Sequence, residues 1–269
     1  MAVASGPGAL AAVVRAETWH ADLMDLENDP RLRGVRDRAW ADPNVVGLVL
    51  TGSQARDGMA NEHSDLDAYV ILADPDPRWQ TTRSAAVDLP VTTLAELREL
   101  PIDDNSDDWW QRYSFAHAKV LLDRSDGEVT RLVQAWGSLT PSEAHHVIAA
   151  RLDGYVNWVY RSLKSFRDGR VFEARLDAVE SLSWGLMVVF AMHGRVRPYN
   201  KYLRWELENH PLVGDPWRTD ELVDLLLAIL TDGSPKAQRA LFAKVEAASR
   251  TAGYGPVLDA WGDELTLLR

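Results

Sequence analysis

The chain has 269 residues, 46% hydrophobic and 26% charged, which suits two modest domains or one large one with a real core. Its formal net charge of -11 argues against a wide grip on nucleic acid, which needs a basic stripe, and is compatible with drawing in a cationic small molecule. Zero cysteines exclude disulfides, thiolate nucleophiles and Cys-ligated zinc, so a catalytic metal has to be held by oxygen or imidazole.

Met1 to Val14 is alanine-rich and has no basic region before its apolar stretch, and no apolar run reaches membrane-spanning length. The expectation is a cytoplasmic chain with no membrane partner. Residues from about Ala16 to Trp40 read as helix, broken near Asn28-Asp29-Pro30. Strand patterns follow at Val45 to Thr51, Leu66 to Leu72, Ala85 to Thr92 and Lys119 to Leu122, with a helix over Gly127 to Trp136. Thr93 and Glu96 make a capping box that opens a helix and accounts for Glu96.

The most informative stretch is Val45 to Leu72, where an apolar run ends in Thr51-Gly52-Ser53 and resumes at Ser64-Asp65-Leu66-Asp67-Ala68-Tyr69-Val70. A strand running into Gly-Ser can bring backbone N–H groups against a phosphate, because Gly52 has no Cβ to hold it off and Ser53 adds a hydroxyl. Side chains alternate along a strand, so Asp65 and Asp67 are expected on one face. Two such carboxylates repel unless a cation neutralises them, and Mg²⁺ prefers oxygen ligands together with substrate phosphates. Gly-Ser alone is an ordinary turn, and Ser-Asp-Leu-Asp alone is a cap or a surface strand. Jointly, with apolar runs on both sides, they point to phosphoryl or nucleotidyl chemistry. His63 reads as a solvated loop residue, and the adjacent His145 and His146 as helix residues pointing apart.

A boundary falls at Gly137 to Glu143, dividing the chain into 1–139 and 140–269, and Thr140 with Glu143 makes a second capping box around Pro141. Beyond it strand signals nearly vanish. Helices are expected around Glu143 to Arg167, Glu173 to His193, Lys201 to Leu207, Asp220 to Leu230, Pro235 to Thr251 and Pro256 to Leu267. The fold class is α+β: a mixed sheet flanked by helices, then a helical bundle, with a substrate cleft between them. Asp177, Glu180, Ser181 and Trp184 share one helical face on an otherwise apolar helix. Asp177 and Glu180 are therefore candidates for holding ammonium groups of a substrate.

Gly52-Ser53, Gln54-Ala55-Arg56 and Asp65-Leu66-Asp67 resemble the signature of the polymerase-β-type nucleotidyltransferase superfamily, and the aminoglycoside nucleotidyltransferases are the nearest likeness within it. That resemblance implies a third carboxylate from a neighbouring strand, matched here by Asp88, with Asp65, Asp67 and Asp88 as catalytic residues and metal ligands. It implies one or two Mg²⁺ ions and a nucleoside triphosphate, ATP by default, with Gly52, Ser53, Arg56 and Lys201 on the nucleotide. Lys201 lies in the basic and aromatic stretch Arg195 to Trp205 and corresponds to a lysine after the long bundle helix of similar enzymes. The implied reaction is attack by a hydroxyl of a small molecule, such as an aminoglycoside-like antibiotic, on the α-phosphorus, releasing pyrophosphate. A protein-adenylylating enzyme resembling the antitoxins of this superfamily, a non-catalytic nucleotide-binding module and polynucleotide extension are the alternatives. A homodimer is compatible with all of them.

Overall fold

A computed structural model of the chain describes residues 29–99, 109–214 and 216–269, so the expected helix over 16–28 lies outside the described residues. Two compact units emerge: the described residues of Met1–Ile102 with Ser114–Gln134, and those of Asp103–Tyr113 with Ala135–Arg269.

The first unit begins with helix α1 (Pro30–Ala41), whose N-cap Asp29 accepts the Arg31 amide while Pro30 occupies the first turn. There follow β1 (Val45–Leu50), β2 (Leu66–Leu72), β3 (Thr82–Arg83), β4 (Val87–Leu89), β5 (Val91–Thr93), α2 (Leu94–Arg98), α3 (Trp109–Phe115), whose residues up to Tyr113 belong to the second unit, β6 (Lys119–Asp123) and α4 (Glu128–Trp136), whose last two residues do as well. The sheet is mixed, in the order β3-β4-β2-β1-β6, with β5 also pairing with β2. β1 is antiparallel to β2 and β6, whereas β4 and β5 run parallel to β2. Central strands covered on both faces read as near-continuous apolar runs, and β1 is one: Val45, Leu48, Val49 and Leu50 are fully buried. Ala39, Val70, Leu72 and Trp79 complete that core with Val45 and Leu48.

Two expectations need adjusting. The run Ala85 to Thr92 is not one strand, because Pro90 has no N–H to donate. β4 and β5 nevertheless keep a single register against β2, Asp67 opposite Asp88 and Val70 opposite Val91, while the Pro90 carbonyl accepts the Val70 amide at 3.0 Å. Strand β2 begins at Leu66, so Asp65 stands just ahead of the ladder rather than within it. Thr93 and Glu96 do form the capping box that opens α2.

The second unit is helical. It holds α5 (Pro141–Arg167), α6 (Val171–Met192), α7 (Leu203–Asn209) after a 3-10 turn at Asn200–Tyr202, α8 (Thr219–Asp232), α9 (Pro235–Thr251), α10 (Gly255–Asp259) and a last 3-10 turn, Gly262–Leu267. The Thr140–Glu143 capping box opens α5 as its sequence dictates. A single polar centre ties three helices: Ser162 on α5 donates to the Ala174 carbonyl on α6 and accepts from Gln238 on α9, both at 2.8 Å. The expected helix Pro256 to Leu267 is broken where Gly262 takes φ +53, a left-handed conformation that stops an α-helix. The α+β expectation, a mixed sheet followed by helices, describes this chain. Among the described residues no helix is long and apolar enough to cross a membrane.

Candidate active site

Antiparallel pairing of β1 with β2, and parallel pairing of β2 with β4, bring the end of β1 and the starts of β2 and β4 to one edge of the sheet. Gly52, Ser53, Asp65, Asp67 and Asp88 therefore gather there, though they span 37 positions of sequence from first to last residue. Thr51 extends the ladder by donating its amide to the Asp67 carbonyl at 2.8 Å. The chain then turns at Gly52 with φ +64, and a Cβ on Gly52 would lie 1.8 Å from Asp67 Oδ2. Only glycine admits both that backbone and the Asp67 carboxylate lying over its Cα.

The next two residues supply donors. The amides of Ser53 and Gln54 donate to no protein acceptor among the described residues, and Ser53 is nearly buried. Consecutive uncommitted amides after a left-handed residue form a concavity suited to an anion. Gln54 anchors the turn from its side chain, donating Nε2 to Asp29 at 3.2 Å. Arg56, expected as a phosphate-neutralising cation, is only 2% exposed and donates Nη1 to the Gly52 carbonyl at 2.6 Å. In this arrangement it braces the turn from within. Asp57 beside it pairs with Lys119 at 3.1 Å, at the start of β6 on the same edge.

Asp67 and Asp88 are direct neighbours on parallel strands, about 4.8 Å apart along the hydrogen-bonding direction. Asp88 Oδ1 is buried and accepts no hydrogen bond, and its ion-pair partner is Arg83 Nε at 3.9 Å. Among the described residues no group of three or more His, Cys, Asp and Glu side chains converges as a metal cage. Asp65 therefore does not close a three-carboxylate cluster with the other two. The Asp67–Asp88 pair still fits a hard cation, because its donors are carboxylate oxygens, one without a hydrogen bond, and Mg²⁺ commonly takes one or two carboxylates plus phosphates and waters.

Three further residues shape this edge and were not singled out from sequence. Tyr69 follows Asp67 by two on β2 and so shares its face, packing on Phe115 with ring centroids 4.9 Å apart. Burial raises its phenol pKa, a hydrogen bond with Ser114 opposes that, and the charges of Asp88 and Asp67 add to the rise. The alternation Asp65, Asp67, Tyr69 was the signal for it. Arg83 reaches Asp88 from a two-residue strand too short to announce itself, and Arg31 ties Ser64 and Ala86 carbonyls, at 3.0 and 3.1 Å, ahead of β2 and β4.

In the helical unit, Lys201 is exposed in its 3-10 turn with Nζ 4.7 Å from the Tyr202 ring centroid. Asp177 and Glu180 do not face the same surroundings. Asp177 turns toward α5 and pairs with Arg161 at 3.8 Å, and burial raises its carboxyl despite that partner, whereas Glu180 is exposed. His63 is an exposed loop residue.

No protein-family model matches the chain, and no curated protein matches it. Among solved structures, the chain is similar to a nucleotidyltransferase-like protein from Exiguobacterium sibiricum 255-15, with 16% identity over 85% of this chain and 77% of that one and a TM-score of 0.43. At so loose a likeness two chains need share no chemistry, and the functional reading rests on the side chains of the sheet edge.

Proposed function

We propose that the chain is a Mg²⁺-dependent nucleotidyltransferase that moves a nucleoside monophosphate, AMP from ATP in the simplest case, onto a hydroxyl of a small molecule and releases pyrophosphate. The observation that carries this reading is the register that sets Asp67 beside Asp88 at the edge where the Gly52 turn closes on the Asp67 carboxylate. Adjacent carboxylates beside uncommitted amides are a poor structural device but a good receptacle for a triphosphate with its cation. Asp67 and Asp88 would hold Mg²⁺, with Asp65 as a third candidate, and the ion when bound supplies charge neutralisation on the phosphates.

The chain's own groups account for the remaining tasks. Gly52 lets the backbone approach the phosphates, and the Ser53 and Gln54 amides with the Ser53 hydroxyl receive their oxygens. Arg56 keeps that turn rigid through the Gly52 carbonyl. Asp88 accepts the proton of the attacking hydroxyl as its oxygen bonds to the α-phosphorus and the bond to pyrophosphate breaks. The acidic surface favours a cationic acceptor such as an aminoglycoside. Roles for Lys201 toward the nucleotide, and for Asp177 and Glu180 toward that acceptor, are proposals of their own. Lys201→Ala should raise the nucleotide KM, and Asp177→Asn or Glu180→Gln the acceptor KM.

Calorimetry of ATP and GTP with and without Mg²⁺, followed by an aminoglycoside panel with pyrophosphate detection, tests the proposal. Metal-dependent nucleotide binding with pyrophosphate release on one acceptor is the expected result. Absence of nucleotide binding under all conditions would overturn it.

A further inference from the structure

Across strands β2, β4 and β3 runs a row of three charged residues, Asp67, Asp88 and Arg83, each opposite the next. Asp88 faces a carboxylate on one side and a guanidinium on the other. The Arg83–Asp88 separation of 3.9 Å is too long for a hydrogen bond, and Asp88 Oδ1 accepts none from any other group. The Arg83 side chain is 80% exposed on a two-residue strand. The guanidinium thus offsets the charge of Asp88 without being locked to it, and it can turn into solvent at little cost.

A divalent cation on Asp67 and Asp88 needs the lone pairs that Arg83 faces, and its charge repels the guanidinium at short range. We infer that Arg83 is a tethered counter-ion that competes with a divalent cation for Asp88. It neutralises the carboxylate before the cation arrives and swings outward when the cation binds. The arrangement weakens resting cation affinity, so that tight loading depends on the phosphates that arrive with the nucleotide. This inference rests on the proposed role of Asp67 and Asp88 as cation ligands. Arg83 acts through Asp88 and is a positioning residue rather than a catalytic one.

The test is a Mn²⁺ titration of the full chain, following free Mn²⁺ by electron paramagnetic resonance, with thermal melts as a check on folding. Arg83→Gln should tighten Mn²⁺ binding about two- to fivefold, the range set by exposed ion pairs. Arg83→Lys should return the affinity to the parent value, and Arg83→Gln in an Asp88→Asn background should change nothing. Unchanged or weaker binding in Arg83→Gln, or equal tightening without Asp88, would overturn the inference. Mn²⁺ binding that is lost in Asp67→Asn but indifferent to Arg83 sinks this inference alone. Binding that survives Asp67→Asn unchanged, or is absent from every variant, sinks the cation reading and the inference with it.

Discussion

At the sheet edge where β1 begins, Asp42 accepts from Trp79 Nε1 at 3.0 Å and from the Asn44 amide at 2.9 Å, and Asp123 accepts from the amide and hydroxyl of both Ser125 and Thr130. At the edge where β1 ends, Asp88 Oδ1 is buried without a hydrogen bond and Asp67 lies against the bare Cα of Gly52. Burial pushes the Asp123 carboxyl up, but the hydrogen bonds from Thr130 and Ser125 outweigh it and hold the group below the usual carboxylate range. One sheet therefore carries carboxylates whose oxygens are taken up by donors of the fold and one, Asp88, with a buried oxygen that accepts none. A carboxylate supplied with several donors terminates a strand or a helix, and its charge is spent there. Asp88 keeps one buried oxygen without a donor on a side chain that is 43% exposed, so its charge is not spent on the fold in that way.

Exchanging the two kinds tests that contrast. Asp67→Asn should lower the rate of pyrophosphate release about 10²- to 10³-fold, the scale of losing one charge-stabilising group, with little change in melting temperature. Activity at the parent level would place Asp67 among the structural carboxylates. Gly52→Ala should cost about 1–3 kcal/mol in chemical denaturation, since the left-handed backbone and the contact with Asp67 both resist a Cβ, and should weaken Mn²⁺ binding as Asp67 is displaced. An alanine variant of parental stability would mean that the turn is not held against Asp67.

Asp123→Asn should have the converse signature. It should lose about 1–2 kcal/mol of stability from the unmatched Ser125 and Thr130 donors while pyrophosphate release stays at the parent rate. A fall in rate with unchanged stability would erase the distinction between the edges. An effect that depends on pH is expected at Asp29, whose carboxyl lies at about 2 against an ordinary 3.8, chiefly through the Arg31 hydrogen bond and against burial. The unfolded chain binds that proton more readily, so the stabilisation is complete above pH of about 4 and is lost as pH falls toward about 2. Asparagine is an equally good N-cap, so Asp29→Asn should keep the cap, flatten acid denaturation over that window and forfeit up to about 2 kcal/mol of charge-dependent stability at neutral pH. An unaltered acid profile would remove Asp29 from the set of engaged carboxylates.

Much of the frame was legible because its determinants are local. The runs Val45 to Leu50 and Leu66 to Leu72 state their strands through unbroken apolar and β-branched residues, and Thr93/Glu96 and Thr140/Glu143 state two helix starts through reciprocal caps. Gly52 and the Asp-x-Asp spacing were readable for the same reason. Arg83 and Tyr69 were harder, since one sits on a strand of two residues and the other looks like any apolar β former until its neighbours are known. Arg56 shows the limit from the other side, for the sequence left it equally a phosphate-neutralising cation or a loop arginine paired to Asp57 or Asp65, and the structure adds its contact with the Gly52 carbonyl.

What the sequence alone determined is therefore the set of short-range choices: which segments extend, where helices are capped, and which turn only glycine can make. The tertiary structure decided which of the described acidic residues are engaged by donors of the fold, as Asp42 and Asp123 are, and which pair across strands, as Asp67 and Asp88 do. It also decided that Asp88 stands next to Asp67 and faces Arg83, 21 and 5 positions away in the chain. Register between strands is set by the hydrophobic pattern of each strand and by the turns acting together, and it is fixed only when the buried face of the assembled sheet packs.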